Sequence, residues 1–505
     1  MLGQAAALGR VASGEISGDG VSENGVPTAS EPAPVDPSSE IDDGDSLGDL
    51  GRRGELPATA RGAALELAMR IGDLLQSSGQ SANDTVVVIR RVCQAYGLRR
   101  VQVDITSTSI VGSYLEPTHQ ADSGGTPSAP GRLSGQPVTS MRMVEPTHQD
   151  LAKTAALNRL VSDVVKGESL PRAMERFDQI RAARRPYPGW VATLGNASIG
   201  MAVQLLHTTN PVVLAVALVM GIALNRLLDF LARRSMPVFF QQLAGGWLIV
   251  VVTAATSWAG TWEWTPLFHG LAPTLIAVGG VVQLVAGMKF VSAGQDAIDG
   301  FYLTATARLL QVIMLTAGIV AGLVSGLTVA ARFGFFIFLS SNIPTNPMPL
   351  RYAAVILAGV CFMVGAFADW QTIVLTAGGS ALAWFGFTAS QAAIGGTVTP
   401  SFIGALLSAV VVTMLVRRTS KPGFAIVNGA LIGLVPGMRL YNGLLQMVGT
   451  NVVPADPSQG GSALLVAAGV ALALAAGASL GIYIGRPVGD RIMKLPQTWI
   501  RRLAA

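Results

Sequence analysis

The sequence predicts a polytopic α-helical membrane protein. About ten transmembrane helices form two inverted five-helix repeats, preceded by a small α+β cytoplasmic domain and a disordered N-terminal tail. Three observations predict this. Half of the 505 residues are hydrophobic, only 13% are charged, and mean hydropathy is +0.49, whereas a soluble domain carries roughly 25% charged residues. The apolar residues gather after Trp190 into runs close to the length that crosses a bilayer. Finally, Leu284-Val285-Ala286-Gly287-Met288-Lys289 returns 150 residues later as Leu434-Val435-Pro436-Gly437-Met438-Arg439.

Taken in order, residues 1–60 are rich in Gly, Ser, Pro, Asp and Glu, with eleven acidic and three basic side chains. They bury too little apolar surface to offset chain entropy and read as disordered. Residues 61–185 form the α+β domain. Leu65, Leu67, Ala68, Ile71, Leu74 and Leu75 make a helical stripe, and Thr85–Tyr96 reads as a second helix ended by Gly97. Val101, Val103 and Ile105 alternate with polar residues, as in a strand, Ser109–Leu115 pairs with it, and Met141–Val144 returns as another strand. Residues 121–137 are a Gly/Ser/Pro loop. Leu151–Val165 and Leu170–Ala183 are helical, the latter with Pro171 near its start.

Ten apolar runs follow, near 190–207, 211–231, 238–258, 271–289, 306–330, 352–368, 371–388, 394–416, 423–440 and 461–485. They divide into a first half over 186–332 and a second over 333–505 with a basic tail. If the N-terminal domain is cytoplasmic, sixteen Lys and Arg fall on the cytoplasmic side of the spans and three, Arg332, Arg351 and Arg439, on the other. That is a positive-inside bias, with both termini in the cytoplasm, and Trp258, Trp262 and Trp264 lie at the outer interface. Tandem copies of an odd-span unit must sit upside down relative to each other. Such inverted halves are typical of secondary transporters, whose two mirror-related conformations provide alternating access.

The candidate site residues lie around the repeated phrase. Asp296, Arg308 and Lys289 are charges near or inside spans, where charge is costly and tends to be functional. Two readings stand. In one, Asp296 takes a proton or a substrate ammonium and Arg308 a carboxylate; in the other, a cytoplasmic turn carries charges that are solvated or paired with each other. Gly287, Pro436 and Gly437 mark turns that break helices, Pro436 by removing a donor and clashing with the preceding turn. Half-helix ends at such a break can hold a zwitterion, with Ser292, Asn442 and Arg439 as further ligands. Gly318, Gly322 and Gly326 in one half, and Gly477, Gly481 and Gly485 in the other, are spaced four apart, as in closely packed helices.

Other chemistry is poorly represented. Glu-Pro-Thr-His-Gln occurs at 116–120 and 145–149, but proline sits inside both copies and no third ligand cluster accompanies them, so they read as loop histidines and not a metal site. Cys93 and Cys361 imply no disulfide framework. There is no phosphate-binding loop for ATP, no nucleophile triad and no basic-aromatic patch for nucleic acid. We therefore expect no cofactor and no enzymatic activity. The expected partners are a small-molecule substrate, the lipid bilayer and a coupling ion; a homo-oligomer is left open.

Several stretches also carry a family resemblance: Arg90-Arg91-Val92 with Ala95-Tyr96-Gly97-Leu98, Leu157-Asn158-Arg159-Leu160, Tyr187-Pro188-Gly189-Trp190, and Gly287…Asp296…Gly300…Arg308-Leu309-Leu310. In the second half they are Arg417-Arg418…Pro422 and Leu434-Val435-Pro436-Gly437…Leu440-Tyr441-Asn442-Gly443-Leu444. Over roughly residues 61–490 the chain resembles the threonine/serine exporter family of bacterial inner-membrane transporters. It departs from the family at Ala286, where Pro is usual, and at Ser292, where Asn is usual. The resemblance implies export of threonine or serine across the cytoplasmic membrane, driven by the proton motive force. The alternatives are export of another small solute, or a sensor domain for which the helices serve only as an anchor.

Overall fold

The computed structural model describes residues 58–106, 108–115, 137–144, 149–261, 273–284, 287–334, 345–416, 421–448 and 456–493. Most of the expected tail, most of the Gly/Ser/Pro loop and nearly all of both Glu-Pro-Thr-His-Gln copies lie outside the described residues.

The N-terminal region begins with helix α1, Ala58–Ser77, so its first turn starts inside the segment expected to be disordered. Helix α2, Ala82–Ala95, starts three residues earlier than its apolar periodicity suggests, because Ser81 caps it and accepts from the Asp84 amide at 3.1 Å. Strands β1 (Val101–Ile105), β2 (Ser109–Leu115) and β3 (Pro137–Met143) form an antiparallel sheet in that order, with Val103 opposite Gly112 and Gly112 opposite Ser140. Gly112 lies under α1: a Cβ there would be 2.7 Å from Met69 Sδ. Helix α3, Leu151–Lys166, is capped by Asp150, and α4, Leu170–Ala182, follows. Leu65, Ile71, Ile89, Ile110, Leu157 and Phe177 meet in one core.

The apolar part continues with α5 (Gly189–Gln204), α6 (Pro211–Arg233), α7 (Val238–Ala259), α8 (Pro273–Leu284), α9 (Gly287–Ile298) and α10 (Tyr302–Arg332). Then come α11 (Met348–Gly365), α12 (Trp370–Ile394), α13 (Val398–Val416), α14 (Gly423–Leu431), α15 (Gly437–Val448) and α16 (Pro457–Met493). Among the described residues, seven helices are long and apolar enough to cross a membrane, or eight if α8 and α9 count as one bent span. The difference from ten runs has three physical sources. Helix α5 has only 16 residues. The 271–289 run is divided, α8 and α9 meeting at 42°. The 423–440 run is also divided: α14 passes into a 3-10 turn over Ile432–Leu434, Val435 is extended, and α15 begins after Pro436, which has no amide to continue a helix.

The six helices from α5 to α10 and the six from α11 to α16 pack in corresponding ways. Helix α10 lies along α7, and its three spaced glycines form the contact. A Cβ at Gly318 would stand 2.6 Å from Phe239 O, and one at Gly322 would run into Leu243 O. Helix α16 lies along α13 in the same manner. There a Cβ at Gly477 would stand 2.5 Å from Phe402 O, and one at Gly481 would stand 2.8 Å from Leu406 O. At these four positions backbone touches backbone because the intervening side chain is missing. At the last glycine of each stripe the nearest atoms belong to a side chain, as they do at Gly481, where Ala409 Cβ would be met at 2.6 Å. A Cβ at Gly326 would meet Val250 Cγ2 at 3.1 Å, and one at Gly485 would meet Thr413 Cβ at 2.8 Å. Helix α5 packs on α6 and on α11, α11 packs in turn on α12, and α9 packs on both α10 and α16.

The N-terminal region is seated on two of the turns. Thr304 Oγ1 donates to Ile105 O at 3.1 Å, and Phe301 packs against the N-terminal core. The Leu151 amide donates to Ala366 O at 2.9 Å, and Tyr187 Oη donates to Val364 O at 2.7 Å. The α9–α10 and α11–α12 turns therefore face the same region.

Candidate functional site

Helix α9 is amphipathic. Lys289, Ser292, Gln295, Asp296 and Asp299 recur at helical spacing and give it one polar stripe. Its packing sets their exposure. Val291, with no exposed surface, joins the core built from α11, α12, α13, α14 and α16, and a Cβ at Gly294 would lie 2.9 Å from Ala475 Cβ on α16. This draws the Gln295–Asp296 end of the stripe into the protein. Lys289 and Asp299 remain exposed and Ser292 is half-buried.

Asp296 is the centre of the site. Its side chain has no exposed surface and is ion-paired with Arg308, which projects from the start of α10 and is 16% exposed. The carboxylate also accepts the Ala82 amide at 3.4 Å, at the first turn of α2. A helix N-terminus presents unpaired amides and a partial positive charge, so it suits an anion. Next to it, Asn83 Nδ2 donates to Asp299 at 3.4 Å. Lys289 precedes Asp296 by two turns on the same stripe of α9. Of the candidates, Asp296 and Arg308 are thus brought together, with Lys289 nearby and Ser292 one turn from Asp296.

The second-half candidates fall elsewhere. Arg439 is exposed on α15, and Asn442 belongs to the same helix. Helix α15 starts against the end of α8, where a Cβ at Gly437 would be 3.4 Å from Val282 Cγ2. The second helix break therefore abuts the last turn before the first. The spaced glycines also stand apart from Asp296. Gly318, Gly322 and Gly326 face α7, and Gly477, Gly481 and Gly485 face α13, so they set how closely helices approach.

Buried amides were missed by a search of the sequence for charge and for helix breaks. Gln204 on α5, Gln242 on α7, Gln283 on α8 and Asn428 on α14 each keep an oxygen without a hydrogen-bond partner, and Gln295 keeps both amide atoms so. An amide side chain within an apolar run is the sequence signal that finds Gln204, Gln242, Gln283 and Asn428, since a polar group at membrane depth is expensive, whereas Gln295 lies outside the runs and gives no such signal.

Two other features lie apart from this cluster. Lys421 and Asp369 form an ion pair tying the α11–α12 turn to the start of α14, and Thr372 donates to the same residue's carboxylate. Burial pushes the Asp369 carboxyl up, but the hydrogen bonds from Lys421 and Thr372 outweigh it and hold it below the usual carboxylate range. An open groove of about 550 Å³ lies between α3 and α4. Its Arg176 is engaged by Asp163 at 3.1 Å and Glu168 at 2.7 Å. Among the described residues no group of three His, Cys, Asp or Glu is placed to hold a metal.

Fold and site together define a class: a polytopic helical membrane protein with a divided helix and a buried ion pair beside the division. Comparison with known proteins narrows this. The family model described as "Putative threonine/serine exporter" matches residues 66–330, and a second, "Threonine/Serine exporter, ThrE", matches 351–484. A "Probable threonine/serine exporter" of Mycobacterium tuberculosis is 30% identical over 440 residues, covering 83% of this chain and 78% of the relative. A "Threonine/serine exporter" of Corynebacterium glutamicum is 28% identical over 387 residues, 75% of each. No solved structure matches. The chain belongs to the threonine/serine exporter family.

Proposed function

We propose that this protein exports threonine and serine across the bacterial cytoplasmic membrane, driven by the proton motive force, by alternating access between two inverted five-helix halves. The relatives' names support the substrate class. The observation that carries the mechanism is the correspondence of the halves. In each, the fourth element is divided before a Gly-Met-Lys/Arg turn, and the first two spaced glycines of the fifth lie on the backbone of the third. Counting each divided pair as one span, and including α5, gives five elements per half. An odd number inverts the second copy, as alternating access requires. The N-terminal region, seated on the α9–α10 and α11–α12 turns, then shares the cytoplasmic side with both termini.

In this reading Asp296 is the group that exchanges Arg308 for a proton or a substrate ammonium, and Arg308 receives the substrate carboxylate. Neither charge is left bare in the unloaded protein, because each neutralises the other. The divided helices supply half-helix ends beside the path, with Ser292, Asn442, Lys289 and Arg439 as further contacts. The test is threonine efflux from cells loaded with a threonine-containing dipeptide, comparing wild type, Asp296→Asn and empty vector, with and without a protonophore. The expected result is efflux above vector that both the protonophore and the substitution abolish. Efflux equal to vector, with the protein present in the membrane, would remove threonine as the substrate.

A further inference from the structure

We propose that Gln295 is the residue that reads the side-chain hydroxyl of the transported amino acid. The inference rests on the exporter reading above and adds a specificity residue to it. Gln295 is 1% exposed, yet neither Nε2 nor Oε1 has a hydrogen-bond partner. A buried carboxamide left wholly unpaired is a standing cost, and native interiors seldom keep one.

The recurring phrase does not itself call for an amide at this position. Aligning Gly287-Met288-Lys289 with Gly437-Met438-Arg439 puts Leu445 of α15 where α9 carries Gln295, so the second copy has an aliphatic residue in its place. The amide is also at the right place. It follows Val291 by one turn on the inward face, lies one turn from Ser292, and neighbours Asp296 in the same stripe.

The chemistry divides accordingly. Asp296 and Arg308 suit the two charges that every amino acid carries. A neutral carboxamide competes for neither; it offers both donor and acceptor, which is what an aliphatic hydroxyl needs. A substrate bearing the hydroxyl satisfies Gln295, whereas an isostere with a methyl in its place leaves the amide buried and unpaired. Rejection of that kind is strong, because the penalty falls on a group already removed from water.

Threonine and valine differ by this exchange of hydroxyl for methyl. The experiment measures efflux of each from cells loaded with the corresponding dipeptides, after subtracting empty vector, for wild type, Gln295→Leu and Gln295→Asn. We expect wild type to favour threonine. Gln295→Leu should lower the threonine-to-valine ratio by about tenfold or more while valine efflux is kept. Gln295→Asn, which retains the amide, should restore part of the preference. If Gln295→Leu does not reach the membrane, the similarly sized apolar Gln295→Met takes its place in the comparison. An unchanged ratio in the apolar variant, or an equal loss of both amino acids, overturns the inference and leaves the exporter reading standing. Wild type that moves no threonine above vector overturns both.

Discussion

The Asp296–Arg308 pair gives the most discriminating stability prediction, because its two members are buried unequally. The Asp296 side chain has no exposed surface and Arg308 has 16%. Replacing Arg308 by Met leaves a fully buried carboxylate with a single neutral donor, the Ala82 amide at 3.4 Å. Removing one partner of a buried pair costs about 3–5 kcal/mol, most of it from stranding the other charge. Replacing Asp296 by Asn strands a guanidinium that still touches water, a loss of about 1–3 kcal/mol. The double variant Asp296→Asn/Arg308→Met strands neither charge. It should be more stable than Arg308→Met alone, with a departure from additivity of about 2 kcal/mol. The assay is thermal unfolding of the four purified proteins in one detergent at one pH. Arg308→Met should melt lowest, below both the double variant and Asp296→Asn. Additive losses, or a double variant that melts below both singles, would refute the idea that the two side chains neutralise each other in the folded protein.

Two further outcomes follow from the geometry. Gly318→Ala places a methyl 2.6 Å from Phe239 O and must force α10 off α7, whereas a Cβ at Gly378 meets nothing within 4 Å. In parallel melting curves Gly318→Ala should lose about 1–3 kcal/mol and Gly378→Ala should lose nothing; equal curves would sink the close-packing account. Asp369 has a folded-state carboxyl pKa held below its ordinary 3.8 by Lys421 and Thr372. Its stabilisation is therefore present above that ordinary value and lost as pH falls through the lower folded value. Lys421→Met should melt lower than wild type at neutral pH, and the gap should narrow below pH 3.8; melting curves that stay parallel into acid would show that the pair contributes nothing.

The limits of sequence reading are visible in particular elements. Helix α6 begins where its apolar run begins, at Pro211 after the Asn210 cap, whereas apolar periodicity finds the body of α2 but not its start, which the Ser81 cap sets. Alternation exposes β1, and the recurring Gly-Met phrase is visible in the sequence. The division near Leu284 is harder to see. The second copy carries Pro436 at its break, but the first has Ala286, which has no intrinsic tendency to stop a helix. Likewise the 190–207 run reads as apolar enough to span, yet its helix closes after 16 residues. Glycine spacing finds both packing stripes, but it does not distinguish Gly322, which meets backbone, from Gly326, which meets only the Val250 side chain.

By itself the sequence determined that this chain enters a membrane, that the phrase ending in Gly-Met-Lys at 289 returns 150 residues later as Gly-Met-Arg, and that charge gathers at Asp296 and Arg308. Each follows from composition or spacing along the chain. Tertiary structure decided which of the polar groups on α9 are buried, that the α2 amide of Ala82, 214 residues away, meets Asp296, and that the Gln295 amide has no hydrogen-bond partner. The physical reason is that helical periodicity specifies a face but not the element that covers it. Lipid and protein are equally apolar coverings, so hydropathy cannot distinguish them. Whether a buried amide has a partner depends on atoms contributed by other helices, and only the assembled fold brings those within hydrogen-bonding distance.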